Sequence, residues 1–219
     1  MQKIVLINLM IIFAFPVFAQ SGTSDLIQSV ENESQWKYYN RSPGFIMKDP
    51  GKIYCLTLDD KPGDGLAIYQ DLEFENGTIE FDVKGKDVAG KSFVGVAFHI
   101  QNEETYNAVY FRPFNFNNPD KTKSGHSVQY ICHPEFTWSK LRTEFPEQFE
   151  NPVQAIPDPN EFFHAKLVVK WPMVSVFVED STEPSLSVKM KSDFKKGKIG
   201  FWVGYGSDGS IKNLIVTKQ

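Results

Sequence analysis

The chain has 219 residues, a net charge of −4 at pH 7 and a 14% aromatic share that includes 19 phenylalanines. Its basic residues are scattered, with only short clusters such as Lys195-Lys196, so the basic footprint of nucleic-acid binding is missing and no nucleic-acid partner is expected. Two cysteines, Cys55 and Cys132, are too few for a disulfide scaffold or the usual zinc pattern; in an oxidising compartment they could pair, or remain two buried thiols.

The first twenty residues, MQKIVLINLMIIFAFPVFAQ, carry Lys3, an apolar stretch from Ile4 to Phe15 and the small-residue pattern Val17-Phe18-Ala19. That layout predicts a secretory signal peptide over residues 1–19 and a mature chain from Gln20, secreted or periplasmic. The stretch is shorter than the about 20 residues that a bilayer span needs, Pro16 interrupts it, and no later segment is apolar enough, so no membrane span is expected. No cysteine follows the cleavage pattern as a bacterial lipid anchor would require. Residues 20–35 read as a flexible polar leader, and residues 36–219 as one domain.

Strands then follow almost without pause. KIYCLTL (52–58), GLAIYQDLEF (65–74), GTIEFDVKG (77–85), SFVGVAFHI (92–100), YNAVYFRPF (106–114) and SVQYICH (127–133) are short β-branched and aromatic runs bounded by turn residues. After an interruption come HAKLVVKW (164–171), VSVFVED (174–180), SLSVKM (185–190), GKIGFWVGY (197–205) and SIKNLIVTK (210–218). The only helical signal is a turn or two over residues 137–144, closed by Pro146. Many short strands with turn signals between them predict an all-β, two-sheet antiparallel sandwich.

Alternation assigns the faces. Ile79, Phe81 and Val83 point one way and Glu80 and Asp82 the other, a strand with one wet face. SFVGVAFHI is apolar on both faces, and its Gly95 and Ala97, with His99, leave room above the sheet. The segment 134–162 is long for a loop but holds Trp138, Phe145, Phe149 and Phe162, too many rings for a disordered stretch, so it is expected to fold over the sheet. The polar segment 115–126 is expected to form a mobile rim.

Tyr106, Tyr110 and Arg112 share one face of their strand, and Gln129 and His133 share a face of the next. With His99 they would converge on one concave surface, approached by Trp138 and Arg142 from the long loop. Rings, a forked donor, an amide and imidazoles suit a sugar, whose C–H faces stack on aromatics and whose hydroxyls take paired hydrogen bonds. Arg112 would also suit a carboxylate. Tyr106, Tyr110 and Trp138 are thus the expected stacking platforms, and Arg112, His99 and Gln129 the polar anchors. Catalytic candidates are fewer: His133, and the loop glutamates Glu144 and Glu150 (with Glu103 and Glu104), any two of which could flank a glycosidic bond. Asp208, in the turn Gly206-Ser207-Asp208-Gly209, is a weak candidate oxygen ligand for a divalent metal such as calcium; no cofactor is predicted, and a plain hairpin turn is the better account of the residues. Serine-nucleophile, phosphate-loop and His-rich metal motifs are absent.

The closing pattern GKIGFWVGYGSDGSIKNLIV resembles the last two strands of the concanavalin A-like lectin/glucanase jelly roll, and FENGTIEFDVKG with FVGVAFHI resembles its central strands, as in laminin-G-like and 3-keto-disaccharide hydrolase-type domains. The similarity spans residues 36–218. YNAVYFRPFNF, VQYICHP and TWSKLR are similar to exported bacterial proteins related to the 3-keto-disaccharide hydrolase type, which implies a carbohydrate-linked role and a bacterial envelope address. Two departures stand against a transfer of activity. Glu80-x-Asp82 resembles the start of the laminarinase-type Glu-x-Asp-x-x-Glu strand, but Lys84 and Gly85 follow and the third carboxylate is missing. His99 stands where the keto-sugar hydrolase pattern has an arginine. The expected function is therefore glycan binding by a jelly roll, with a glycoside-active enzyme or a protein-interaction module as the alternatives.

Overall fold

The computed structural model describes residues 23–25, 33–49 and 52–219; the expected signal peptide lies outside them. Within the expected leader, Thr23–Asp25 form a strand (β1) on Ile215 to Thr217, and Glu33–Gln35 a 3-10 turn, so these two pieces are structured rather than a free tail.

The remaining strands are β2 (Trp36–Tyr39), β3 (Pro43–Asp49), β4 (Lys52–Leu58), β5 (Gly65–Phe74), β6 (Gly77–Lys84), β7 (Val94–Asn102), β8 (Thr105–Phe111) and β9 (Val128–His133). They continue with β10 (Glu150–Asn151), β11 (Phe163–Lys170), β12 (Met173–Val178), β13 (Leu186–Lys189), β14 (Gly197–Val203) and β15 (Gly209–Lys218). One sheet runs β13-β12-β11-β6-β15-β4-β3, with β1 also on β15; the other runs β10-β9-β8-β7-β14-β5-β2, and every pairing is antiparallel. Among the described residues no helix is long and apolar enough to cross a membrane.

The two sheets differ as their sequences do. β6 and β11 alternate strictly between buried and half-exposed positions, the mark of a sheet with one covered face. β7, β8 and β9 are buried on both faces, so something covers the outer side of their sheet as well. Phe74, Phe81, Phe98, Phe111, Phe163 and Phe201 fill the space between the sheets, and Phe111 meets Phe163 across it with ring centroids 5.1 Å apart. Each such ring contributes roughly 1.5–3 kcal/mol by burial. Cys55 and Cys132 lie in different sheets as free, buried thiols.

The outer side of the second sheet is covered by the connection from β9 to β10. Thr137 accepts from the backbone N–H of Lys140 to cap a short helix, Trp138–Glu144, and Leu141 is its buried anchor. Segment 115–126 is also folded, contrary to the mobile rim expected of it. A 3-10 turn at Pro113–Asn115 is followed by a helical turn, Lys121–Ser124, whose first turn Asp120 caps through the Thr122 N–H.

Candidate functional site

A groove of about 850 Å³ lies on the outer side of the second sheet. Its floor follows from one cross-strand row in which Glu150, Gln129, Tyr110, Gly95, Trp202 and Leu66 sit side by side on successive strands. β8 and β14 are separated by β7 and so stand roughly 9–10 Å apart. Gly95 has no side chain, and Tyr110 and Trp202 lean together above it until their ring centroids are 4.8 Å apart. In the next row Ala108, Ala97 and Gly200 keep the floor low.

The walls are connections. Because Gly65, Val203, Val94, Phe111 and Val128 pair in one line, the β4–β5, β6–β7, β8–β9 and β14–β15 connections gather at the same end of the sheet. They contribute Asp64, Phe93, Phe114, Lys123, His126 and Tyr205 to the lining. The helix after β9 supplies the side wall with Trp138, Ser139 and Arg142. Trp138 is 49% exposed and Tyr205 65%, so two large rings stand in solvent on different walls. Buried Arg41 fixes two of the connections by donating to Asn40 O and Gly63 O at 2.7 Å and to Gly204 O at 3.0 Å.

Arg112 does not stand open to the groove. It is 5% exposed, and its Nη2 donates to the Tyr110 hydroxyl at 2.7 Å and to Gln129 Oε1, while Nη1 donates to His126 O at 2.8 Å. The guanidinium also lies over the Tyr110 and Phe93 rings, at 4.9 and 5.7 Å from their centroids. Glu150, 4% exposed, is held by Arg142 through two bonds, Nε to Oε1 at 2.8 Å and Nη2 to Oε2 at 2.6 Å. Its Oε2 is also 3.8 Å from Arg112 Nη1 and 2.9 Å from His126 Nδ1, the latter out of line for a hydrogen bond. Two guanidiniums thus share one buried carboxylate. Burial pushes the Tyr110 hydroxyl up to about 12, keeping it protonated and able to donate to Gln129 Oε1 at 2.9 Å.

A second cluster joins the groove. The Tyr106 hydroxyl donates to Asp64 Oδ2 at 3.2 Å and accepts from Trp202 Nε1 at 3.2 Å. His133 stacks on the Tyr106 ring with centroids 5.0 Å apart, and its Nε2 is 3.8 Å from Asp64 Oδ2. Burial raises the Asp64 carboxyl above the usual range, with the His133 charge acting against it; burial lowers His133, with Asp64 acting against that. Both side chains reach the groove lining.

The structure therefore brings together Tyr106, Tyr110, Arg112, Gln129, His133, Trp138, Arg142 and Glu150, but in two tiers. Trp138, Arg142 and His133 present themselves to the groove, while Arg112, Tyr110, Gln129 and Glu150 are spent within one buried cluster and the Tyr106 hydroxyl on Asp64 and Trp202. His99 departs from its expected place. The register slips between Phe98 and Asn102, and His99 takes φ 50°, so a bulge breaks the alternation there. The ring turns onto Phe74 and Phe98, with Nε2 2.7 Å from Glu75 O, away from the groove. Glu144 is exposed outside the lining, and Glu80 and Asp82 face His164 on the other sheet. Asp208 does not fit a calcium ligand set: Lys86 Nζ lies 2.5 Å from its Oδ1, and among the described residues no group of three or more His, Cys, Asp or Glu side chains is arranged to hold a metal ion. Asp64, Tyr205 and Trp202 were not foreseen; the turn Lys61-Pro62-Gly63-Asp64 and the motif Gly204-Tyr205-Gly206 carry no more than turn chemistry in sequence.

No family model matches the chain, and no curated protein matches it. Solved structures do resemble it. The carbohydrate-binding module CBM66 from Bacillus subtilis aligns with TM-score 0.58 and 13% identity over 82% of this chain and 93% of that one. A protein of unknown function with a galectin-like fold from Bacillus subtilis gives 0.57 and 11% over 91% and 99%. The exoplasmic/lumenal domain of VIP36, solved with Ca²⁺ and Man3GlcNAc, gives 0.54 and 9% over 85% and 86%. At such identities the likeness speaks for architecture. The chain has the concanavalin A-like jelly-roll fold.

Proposed function

We propose that this protein is an exported carbohydrate-binding jelly-roll domain that takes a glycan into the groove. The observation that carries the reading is the pairing of two solvent-exposed rings, Trp138 and Tyr205, with polar groups around a low aromatic floor. Rings of this kind take the apolar faces of sugars while the surrounding donors take hydroxyls. Arg112, Tyr110 and Gln129 act here as the rigid understructure that holds the floor, and Trp138, Tyr205, Arg142 and His133 as the contacts. The CBM66 module and the mannoside-bound VIP36 domain lend support as jelly rolls that engage carbohydrate. A glycan array probed with the parent chain and with Trp138→Ala and Tyr205→Ala tests this. Both variants should lose retention while keeping the parent melting temperature; retention unchanged in both would overturn the site.

A second reading, a glycoside-active enzyme, is favoured by one observation: a carboxyl and an imidazole, Asp64 and His133, stand 3.8 Å apart as an ion pair and both reach the groove. Glu150 has no part in that reading, since Arg142 occupies both of its oxygens. Turnover of a bound glycan that disappears in both Asp64→Asn and His133→Gln would select the enzyme.

A further inference from the structure

We infer that the glycan held in this groove is acidic, with the carboxylate of a uronic-acid unit seated at the end lined by Arg142 and Lys123. The inference rests on the carbohydrate-binding reading and names the chemical class of its ligand.

Three observations point the same way. Arg112 and Arg142 share the single carboxylate of Glu150, so the cluster beneath that end holds one positive charge more than it neutralises. Arg142 spends Nε and Nη2 on Glu150, and its Nη1 makes no hydrogen bond among the described residues. Lys123, exposed on the adjoining wall, makes no ion pair among the described residues. On a chain whose net charge is −4, Arg142 and Lys123 thus bring two incompletely matched cations to the lining of one groove.

Geometry narrows the anion. The Arg142 guanidinium lies over one face of the Trp138 ring, 5.1 Å from its centroid, so the free donor is held against a half-exposed ring. A uronate presents the same pair in the same order, a sugar ring with a carboxylate one bond away. The planar carboxylate suits a guanidinium edge. Asp64, in the other cluster, disfavours a second carboxylate there and so sets the direction in which an acidic chain would lie.

The test uses the full chain and a panel of uronate-containing oligosaccharides, each paired with its carboxyl-reduced counterpart of identical linkage, titrated calorimetrically at low and high salt. Uronate members should bind, and reduction of the carboxyl should weaken binding by about tenfold or more. Lys123→Gln should weaken uronate binding about two- to fivefold and flatten its salt dependence without altering the melting temperature. Arg142→Gln should lose more, and Lys123→Gln carries the test should that variant unfold. Equal binding of acidic and reduced partners overturns the inference and leaves the carbohydrate reading in place. A sulfated neutral oligosaccharide that binds as tightly as the uronate overturns the carboxylate in favour of anions in general. Retention of no glycan of either class overturns the carbohydrate reading itself, and the inference with it.

Discussion

The Nζ of Lys191 lies 3.6 Å from the centroid of the Phe145 ring, with Phe149 at 5.1 Å and Phe136 at 5.4 Å. The three rings belong to the connection that carries Trp138, whereas Lys191 follows β13 of the other sheet. Its backbone N–H also donates to the Tyr130 hydroxyl at 2.9 Å. One ammonium therefore fastens the side wall of the groove to the sandwich. Lys191→Met keeps the aliphatic stem and removes the charge, so it should cost about 1–2 kcal/mol in urea unfolding. It should also speed hydrogen exchange over 134–149. A Met variant as stable as the parent would leave the rings with a packing role only.

Glu150 is the sole carboxylate among two guanidiniums. Glu150→Gln should destabilise the fold by about 3 kcal/mol, because it leaves the buried Arg112 guanidinium without a carboxylate and facing a second cation. Arg142→Met should cost less, since that side chain is a third exposed. Combining the two should recover part of the loss, and a double-mutant cycle measured by chemical denaturation gives the coupling. Strict additivity would show that the pair is not coupled.

The Asp64–His133 pair predicts a definite pH response. Burial depresses His133 below the ordinary imidazole value of 6.5, so its contribution to stability is present above that value and is lost as pH falls through the lower folded value. Asp64 runs the other way: its raised carboxyl contributes stability below the ordinary value of 3.8, which is lost as pH rises through the higher folded value. Each charge favours the other. Asp64→Asn should shift the His133 imidazole titration further down, and His133→Gln should shift the Asp64 carboxyl further up. NMR titration of the two groups reads both directions, and unchanged values would show that they do not interact.

Gly95 is where a side chain cannot go. A Cβ there would lie 2.1 Å from Val109 O and 2.9 Å from the Tyr110 Cβ. Gly95→Ala should cost about 1–3 kcal/mol and force Tyr110 and Trp202 apart, which near-UV circular dichroism would register as a changed tryptophan band. A parent-like spectrum would contradict the floor described above.

Much of this architecture can be read in the chain because its strands obey a period of two. GLAIYQDLEF (65–74) and KIYCLTL (52–58) form β5 and β4 over the same residues, and Tyr110 and, one residue past the end of β8, Arg112 both lie on the groove side. Alternation gives the direction of a side chain but not what lies in front of it. Arg112 points the expected way and is then enclosed by Tyr110 of β8 itself, Gln129 of the neighbouring strand and the His126 carbonyl of a loop. His99 shows the other limit: one bulge reverses the facing of a residue, and nothing in SFVGVAFHI marks its place. The edge strands β2 and β3 lack a clean alternating pattern in WKYY and PGFIMKD and depend on β5 and β4 for their pairing.

The clustering of four connections at one end of the sheet separates chassis from recognition. The strands carry the melting behaviour, and the groove rim is replaceable hardware. Exchanging the stretch between β8 and β9 should retune ligand choice on an unaltered frame. Arg41 sets the one mechanical constraint on such grafts: any replacement for the segments around Gly63 or Gly204 must offer a carbonyl at the same spot, or the two rim pieces drift independently.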